Sequence, residues 1–180
     1  MIDGKNICLR SLTKKDFDKT FKWHNNLELK NLTLSHPFPV TDVQEEEWYN
    51  SLLKDNSNKN VYFGIEDKVN KELVGIIFLS KINMIHQTCW LGIFLGEENA
   101  RGKGFGKEAV SLIVEYAFKN VNLRKVSLEV VKTNKNAITV YEKLGFDIEG
   151  NLKNNVWIDN NLHDVLIMSK ENIFKNYGKK

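Results

Sequence analysis

"TCWLGIFLGEENARGKGFGKEAVSLIVEYAFKNVNLRKVSLEVV", residues 88–131, changes character three times. Its first part, "TCWLGIFLG" (88–96), is a short apolar run rich in aromatic and β-branched residues, which predicts a strand. A loop follows in which Gly102, Gly104 and Gly106 alternate with Lys103 and Phe105 behind Arg101. Val110, Ile113, Val114 and Ala117 then recur at i, i+3, i+4 and i+7, with Glu108, Ser111, Glu115 and Lys119 opposite, so 107–120 is a helix. "KVSLEVV" (125–131) returns to a strand. Two strands joined across a helix run parallel.

Working back toward the N-terminus, "LVGIIFLSKI" (73–82) and "NVYFGIED" (60–67) read as strands, the former antiparallel to 88–96. Thr41 with Gln44 forms a capping box that opens a helix through about Leu53. "LTLSHPFPVT" (32–41) is a loop punctuated by Pro37 and Pro39. Thr13 with Asp16 caps an earlier helix that fades near Asn25–Asn26, and "NICLRSL" (6–12) is a short strand. Toward the C-terminus, Ala137, Val140, Tyr141 and Leu144 share a helical stripe, and Gly145 stands where a left-handed C-cap belongs. Residues 152–170 form a hairpin about Asp159–Asn161. The order predicts an α/β (α+β) fold: a mixed, largely antiparallel twisted sheet with one parallel step and helices on both faces.

At 180 residues, one domain over 1–180 with a core of about 6–170 is expected. With 42% hydrophobic and 27% charged residues the chain can bury a real core. The 26 basic and 23 acidic side chains leave only +3, too balanced for a nucleic-acid or membrane partner. No signal peptide or membrane-spanning run is seen, so the expectation is a cytoplasmic protein. Cys8 and Cys89 sit in apolar stretches and read as buried, reduced thiols. The four histidines and two cysteines show no metal-ligand spacing, so no metal is expected.

A glycine turn ahead of a helix start aims free N–H groups at one point, and the helix dipole adds positive charge there. Arg101, Lys103 and Lys107 place cations at its rim. The GxGxxG dinucleotide pattern fails because residue 107 is Lys107. The P-loop pattern fails at Arg101 and Glu108. The loop is thus an anion cradle outside both common nucleotide fingerprints; alone, it reads first as an ordinary tight turn between strand and helix.

A second motif, "TNKNAITVYEKLGF" (133–146), changes that balance. Arg101-Gly102-Lys103-Gly104-Phe105-Gly106 resembles R/Q-x-x-G-x-G/A, the acetyl-CoA loop of the GCN5-related N-acetyltransferase (GNAT) superfamily. Asn134, Ala137, Tyr141, Gly145 and Phe146 resemble its later N-x-x-A-x-x-x-Y-x-x-x-G-F signature. The likeness covers about residues 6–170 and is nearest to the branch of ribosomal-protein N-terminal, spermidine and amino-sugar acetyltransferases.

The resemblance implies acetyl-CoA as co-substrate, held in a gap where two parallel strands splay apart. Its pantetheine would pair with Ile93, Phe94 and Leu95. Its pyrophosphate would sit on the amides of 102–107 (Gly102, Lys103, Gly104, Phe105, Gly106, Lys107) beside Arg101, with Asn134 touching it from the other side. Tyr141, by spacing a core residue, becomes the acid for the leaving thiolate. A strand N–H near Leu91–Ile93 would polarise the carbonyl. Many relatives carry Glu where this chain has Trp90, and tryptophan takes no proton. Freeing a polyamine nitrogen at pH 7 (pKa near ~10.4) costs roughly 4–5 kcal/mol, against about 1 kcal/mol for an N-terminal amine. A site without an evident base therefore favours an amino sugar or a protein N-terminus, with a polyamine open through the acidic run Asp42, Glu45, Glu46 and Glu47. Trp23, His24, Glu129 and Trp90 are candidate substrate contacts; each also has a bland reading as core, surface or salt-bridged residue. The expected activity is direct transfer from acetyl-CoA to a primary amine in a ternary complex, and a homodimer is compatible with it. The alternative is a non-catalytic acyl-CoA-binding module.

Overall fold

The structure is a computed structural model that describes residues 1–54 and 57–172. Along the chain it contains β1 (Ile2–Asp3), β2 (Ile7–Arg10), α1 (Phe17–His24), α2 (Leu27–Thr33), α3 (Asp42–Lys54), β3 (Val61–Asp67), β4 (Leu73–Asn83), β5 (Thr88–Leu95), α4 (Phe105–Lys119), β6 (Lys125–Val131), α5 (Lys135–Lys143), β7 (Asp147–Ile158) and β8 (Asn161–Glu171). The eight strands form one sheet in the order β1-β2-β3-β4-β5-β6-β8-β7. Every neighbouring pair is antiparallel except β5 and β6, the pair joined across α4. The mixed sheet with a single parallel step, expected from residues 88–131, is the observed one.

Two apolar clusters divide the faces. The larger holds Ala109, Val110, Ile113 and Ala117 of α4, Ile138 and Tyr141 of α5, and Val126, Leu128 and Val130 of β6. The smaller joins Trp23 of α1 and Leu29 of α2 to Leu73 and Ile76 of β4, with Trp48, Tyr62, Phe78 and Phe94 packed against them. Helices α4 and α5 thus cover one face, and α1–α3 the other. Cys8 and Cys89 are buried free thiols, as expected. No helix among the described residues is long and apolar enough to cross a membrane.

The local signals explain most element ends. The Thr13 amide donates to Asp16 Oδ2 at 2.7 Å, so the capping box forms, although the first turn, Lys14–Asp16, is a 3-10 turn ahead of α1. The Thr41 amide donates to Gln44 Oε1 at 2.9 Å and the Gln44 amide to Thr41 Oγ1 at 3.2 Å, opening α3. Gly145 has φ +82° after α5. Asp159 and Asn160, both at positive φ, make a two-residue turn matched to the strand twist. Two elements were not expected. The two-residue β1 is too short to carry a period. The α2 helix lacks an apolar stripe: Leu27 and Leu32 stay exposed while Leu29 is buried. It is made by the Asn26 cap, whose Oδ1 accepts the Leu29 amide at 3.1 Å, and by packing.

Asp16 ties α1 to the sheet. Arg10 reaches both its oxygens at 2.8 Å and also pairs with Glu66 of β3. Burial pushes the Asp16 carboxyl up, but bonds from Arg10 and Thr13 outweigh it and hold the group below its ordinary range. Its folded pKa is therefore the lower one, and the unfolded chain takes the proton first as pH falls. Stability from Asp16 is complete above about pH 4 and is lost below it. Asp16→Asn is expected to cost about 2 kcal/mol at pH 7 and to flatten the loss of stability between pH 4 and pH 3. Urea unfolding of both proteins at the two pH values measures this.

Candidate active site

The parallel pair is joined for three rungs only: Thr88 with Lys125, Cys89 with Val126, and Trp90 with Ser127. Both strands continue, but apart. Leu91–Leu95 pair with β4 on their outer side, and Leu128–Val131 pair with β8 on theirs. A wedge-shaped gap therefore opens after Trp90, inside the sheet.

Which groups face that gap follows from strand alternation. The Gly96 amide donates to Val74 O at 2.9 Å, on the β4 side. Phe94 turns its carbonyl the same way, since a Cβ built on Gly75 of β4 would meet Phe94 O at 2.3 Å. Leu91, Ile93 and Leu95 then turn their N–H and C=O groups into the gap. Of the three residues expected to offer backbone there, Ile93 and Leu95 do so. The backbone of Phe94 belongs to β4, and its ring lies in the α1–α3 cluster. A sheet edge with open donors and acceptors accepts any strand-like chain, including the amide-bearing arm of acetyl-CoA.

Next to the gap's wide end lies the glycine loop. Gly104 is the N-cap of α4 with φ +83°, and Gly102 has φ +76°. A Cβ added at either would meet nothing within 4 Å, so both face open space. The first hydrogen bond of α4 runs from the Glu108 amide to Gly104 O at 3.0 Å. The amides of Phe105, Gly106 and Lys107 are thus left over by the helix. Free donors, a helix N-terminus and room for a ligand fit a diphosphate. The rim differs in part from expectation. Lys103 stands 5.9 Å over the Phe105 ring, but Arg101 pairs with Glu28 of α2 at 2.7 Å and so ties the loop to the opposite side of the cleft. Asn134, expected against the cofactor, is the N-cap of α5, its Oδ1 accepting the Ala137 amide at 3.1 Å.

Tyr141 approaches from the α4–α5 face. It is 8% exposed, and its ring lies 5.8 Å from Phe146. Burial pushes its hydroxyl up to about 12, so it stays protonated at neutral pH. The hydroxyl has no hydrogen-bond partner among the described residues, and no fully buried polar side-chain atom there lacks one. The hydroxyl oxygen therefore reaches open space.

The other candidates stand on the α1–α3 face. Alternation puts Trp90, Gly92 and Phe94 of β5 on it, and Ser127 and Glu129 of β6 with them. Trp90, on the last rung before the gap, is half-buried beneath the Lys81 ammonium at 5.6 Å. Glu129 is exposed two residues beyond the last rung. Trp23 is core rather than pocket wall: it is 3% exposed, edge-on to Phe94 at 6.0 Å, and lies within 2.1 Å of a Cβ built on Gly96. Of the acidic run, Glu45 is wholly buried and receives Thr20 Oγ1 at 2.6 Å and His24 Nδ1 at 2.7 Å, while Asp42, Glu46 and Glu47 stay exposed.

A cavity of about 500 Å³ on this face is lined by Glu28, Asn31, Asn134, Asn136, Asp159 and His163, among others. It joins α2, the end of β6 and the tip of the β7–β8 hairpin. Sequence reasoning missed it because its walls come from three distant segments. The asparagines at 31, 134, 136 and 161 were its only trace.

The model of the acetyltransferase (GNAT) domain matches residues 6–147. The chain is 31% identical to the spermidine N(1)-acetyltransferase of Vibrio cholerae over 88% of this chain and 89% of that one. It is 29% identical to the Escherichia coli spermidine N(1)-acetyltransferase over 93% and 87%. It is also 31% identical to a probable N-acetyltransferase of Bacillus subtilis over 92% and 95%. The crystal structure of the Vibrio cholerae spermidine N-acetyltransferase in complex with CoA and spermine superposes with a TM-score of 0.86 at 29% identity, covering 93% of this chain and 96% of that one.

Proposed function

The chain belongs to the acetyltransferase (GNAT) family, and from that premise we propose that its acceptor is a polyamine. It is an acetyl-CoA-dependent N-acetyltransferase that moves an acetyl group to an amine. The likeness to spermidine acetyltransferases over nearly the whole chain is what carries the polyamine reading. The cleft supports it with carboxylates: Asp159 lines the cavity beside Glu28, which pairs with Arg101, and Glu129 stands at the gap. This moves the acceptor away from the amino sugar or N-terminus favoured on amine basicity alone.

Acetyl-CoA supplies the thioester. The amides of Phe105, Gly106 and Lys107 hold its diphosphate, and Ile93 and Leu95 pair with its arm. The Leu91 or Ile93 amide steadies the developing oxyanion. Tyr141 donates to the departing sulfur. Neither cysteine serves as nucleophile: burial pushes Cys89 up to about 12 and also raises Cys8, so neither is a thiolate at neutral pH. Transfer is direct, in a ternary complex.

A second reading, an amino sugar, is supported by the cavity itself. Asn31, Asn134, Asn136 and Asn161 offer amides suited to ring hydroxyls, and Arg101 and Lys135 offset the carboxylates. Initial rates of CoA release with spermidine, an amino sugar and an N-terminal peptide separate the readings. Spermidine is expected to show a kcat/KM at least tenfold above the others. A faster amino sugar would replace the polyamine. No release with any amine, despite tight acetyl-CoA binding, would favour a binding module.

A further inference from the structure

We propose that His24, held by Glu45, is the proton acceptor for the incoming amine, in the role that the strand position of Trp90 lacks. The inference rests on the N-acetyltransferase activity, not on which amine is the acceptor. His24 ends α1 and Glu45 lies one turn into α3. Their side chains meet at 2.7 Å, Nδ1 to Oε2, and Thr20 donates to the other Glu45 oxygen at 2.6 Å. Glu45 is 0% exposed, so its two oxygens are committed to these two donors. A carboxylate only accepts, so the proton of a neutral His24 sits on Nδ1 and the lone pair on Nε2. Nε2 has no partner among the described residues, and the side chain is 26% exposed. A buried carboxylate that fixes the tautomer while the far nitrogen stays open is how histidine is set up as a base.

Its position suits the acceptor. The ring lies 4.7 Å from Trp48 and 6.1 Å from Phe94, on the face that also carries Trp90, Gly92 and Glu129. From α3 it meets Glu45. From α2, Glu28 turns to Arg101 and Lys30 to the Phe38 carbonyl. From β5 it meets the Phe94 ring. Tyr141 belongs to the cluster on the opposite face, so base and acid stand on two sides of the sheet.

The step balances as follows. One proton of the ammonium passes to Nε2, directly or through one water. The freed nitrogen bonds to the carbonyl carbon as the C–S bond breaks. The thiolate leaves on a hydrogen bond from Tyr141 and takes its proton from solvent, the amide nitrogen releases its surplus proton to solvent, and His24 returns its own there.

His24→Asn is expected to lower kcat about 100-fold at pH 7, with the acetyl-CoA dissociation constant unchanged. Its rate should climb steadily to pH 10 as solution frees the amine, where the parent levels off. Glu129→Gln, made alongside, should lose less and keep the parent's pH profile. In the cofactor-free protein, ¹⁵N NMR should find His24 as the Nδ1–H tautomer, and Glu45→Gln should shift it toward Nε2–H. Parent-like kcat in His24→Asn would overturn the proposal, as would an equal loss at every pH with a raised acceptor KM, or the pH-dependent loss appearing in Glu129→Gln instead. If His24→Asn does not fold, His24→Gln is read the same way.

Discussion

Tyr141→Phe is expected to lower kcat about 100-fold at neutral pH, with acetyl-CoA affinity changed less than twofold. The size follows from what the hydroxyl does. A phenol pushed up to about 12 by burial does not transfer its proton freely to a thiolate of ordinary basicity near ~8.5; full transfer costs about 5 kcal/mol. Its contribution is a hydrogen bond to charge that develops only as the C–S bond breaks. Such a bond to a charged group is worth about 1.5–3 kcal/mol, and 2.7 kcal/mol is about 100-fold. The substitution leaves the ring that packs on Phe146, so the fold should survive. Pre-steady-state measurement of thiol release and an acetyl-CoA titration test the two halves. Unchanged kcat would remove Tyr141 from the reaction, and weakened acetyl-CoA binding would make it a wall of the gap instead.

Gly104→Val is expected to weaken acetyl-CoA binding by at least about 100-fold. Two effects contribute and they can be separated. Residue 104 has φ +83°, where a β-branched side chain is strained by roughly 1–2 kcal/mol or more. The added Cβ would also stand in open space at the N-terminus of α4, where the diphosphate would approach. Asparagine tolerates the left-handed conformation but still carries a Cβ, so Gly104→Asn isolates the second effect. It is expected to unfold like the parent yet bind acetyl-CoA weakly. Normal affinity in Gly104→Asn would mean that this space does not belong to the ligand. Calorimetric titration with acetyl-CoA, beside a thermal melt, reads both.

Much of the site could be read from residues near one another in the chain. The glycine loop, the start of α4 and the α5 motif each rest on local chemistry, and each stands within two residues of its expected bounds. The pairing of His24 with Glu45 spans 21 positions, and nothing in either segment announces the other. Glu45 looked like one of four acids in the run 42–47. Only the packing of α1 on α3 separates it from Asp42, Glu46 and Glu47, which stay in solvent. Trp23 likewise looked like a pocket aromatic until the close approach of Gly96 put it in the core.

Sequence alone determined the order of strands and helices apart from β1 and α2, the single parallel step and the glycine turn ahead of α4, because hydrophobic period, caps and glycines act within a few residues. Tertiary structure alone decided where β5 and β6 part after Trp90, that Phe94 gives its backbone to β4, and that Arg101 reaches Glu28. Those outcomes depend on which strand edges pair and how far each register runs, and that is settled by packing between segments tens of residues apart.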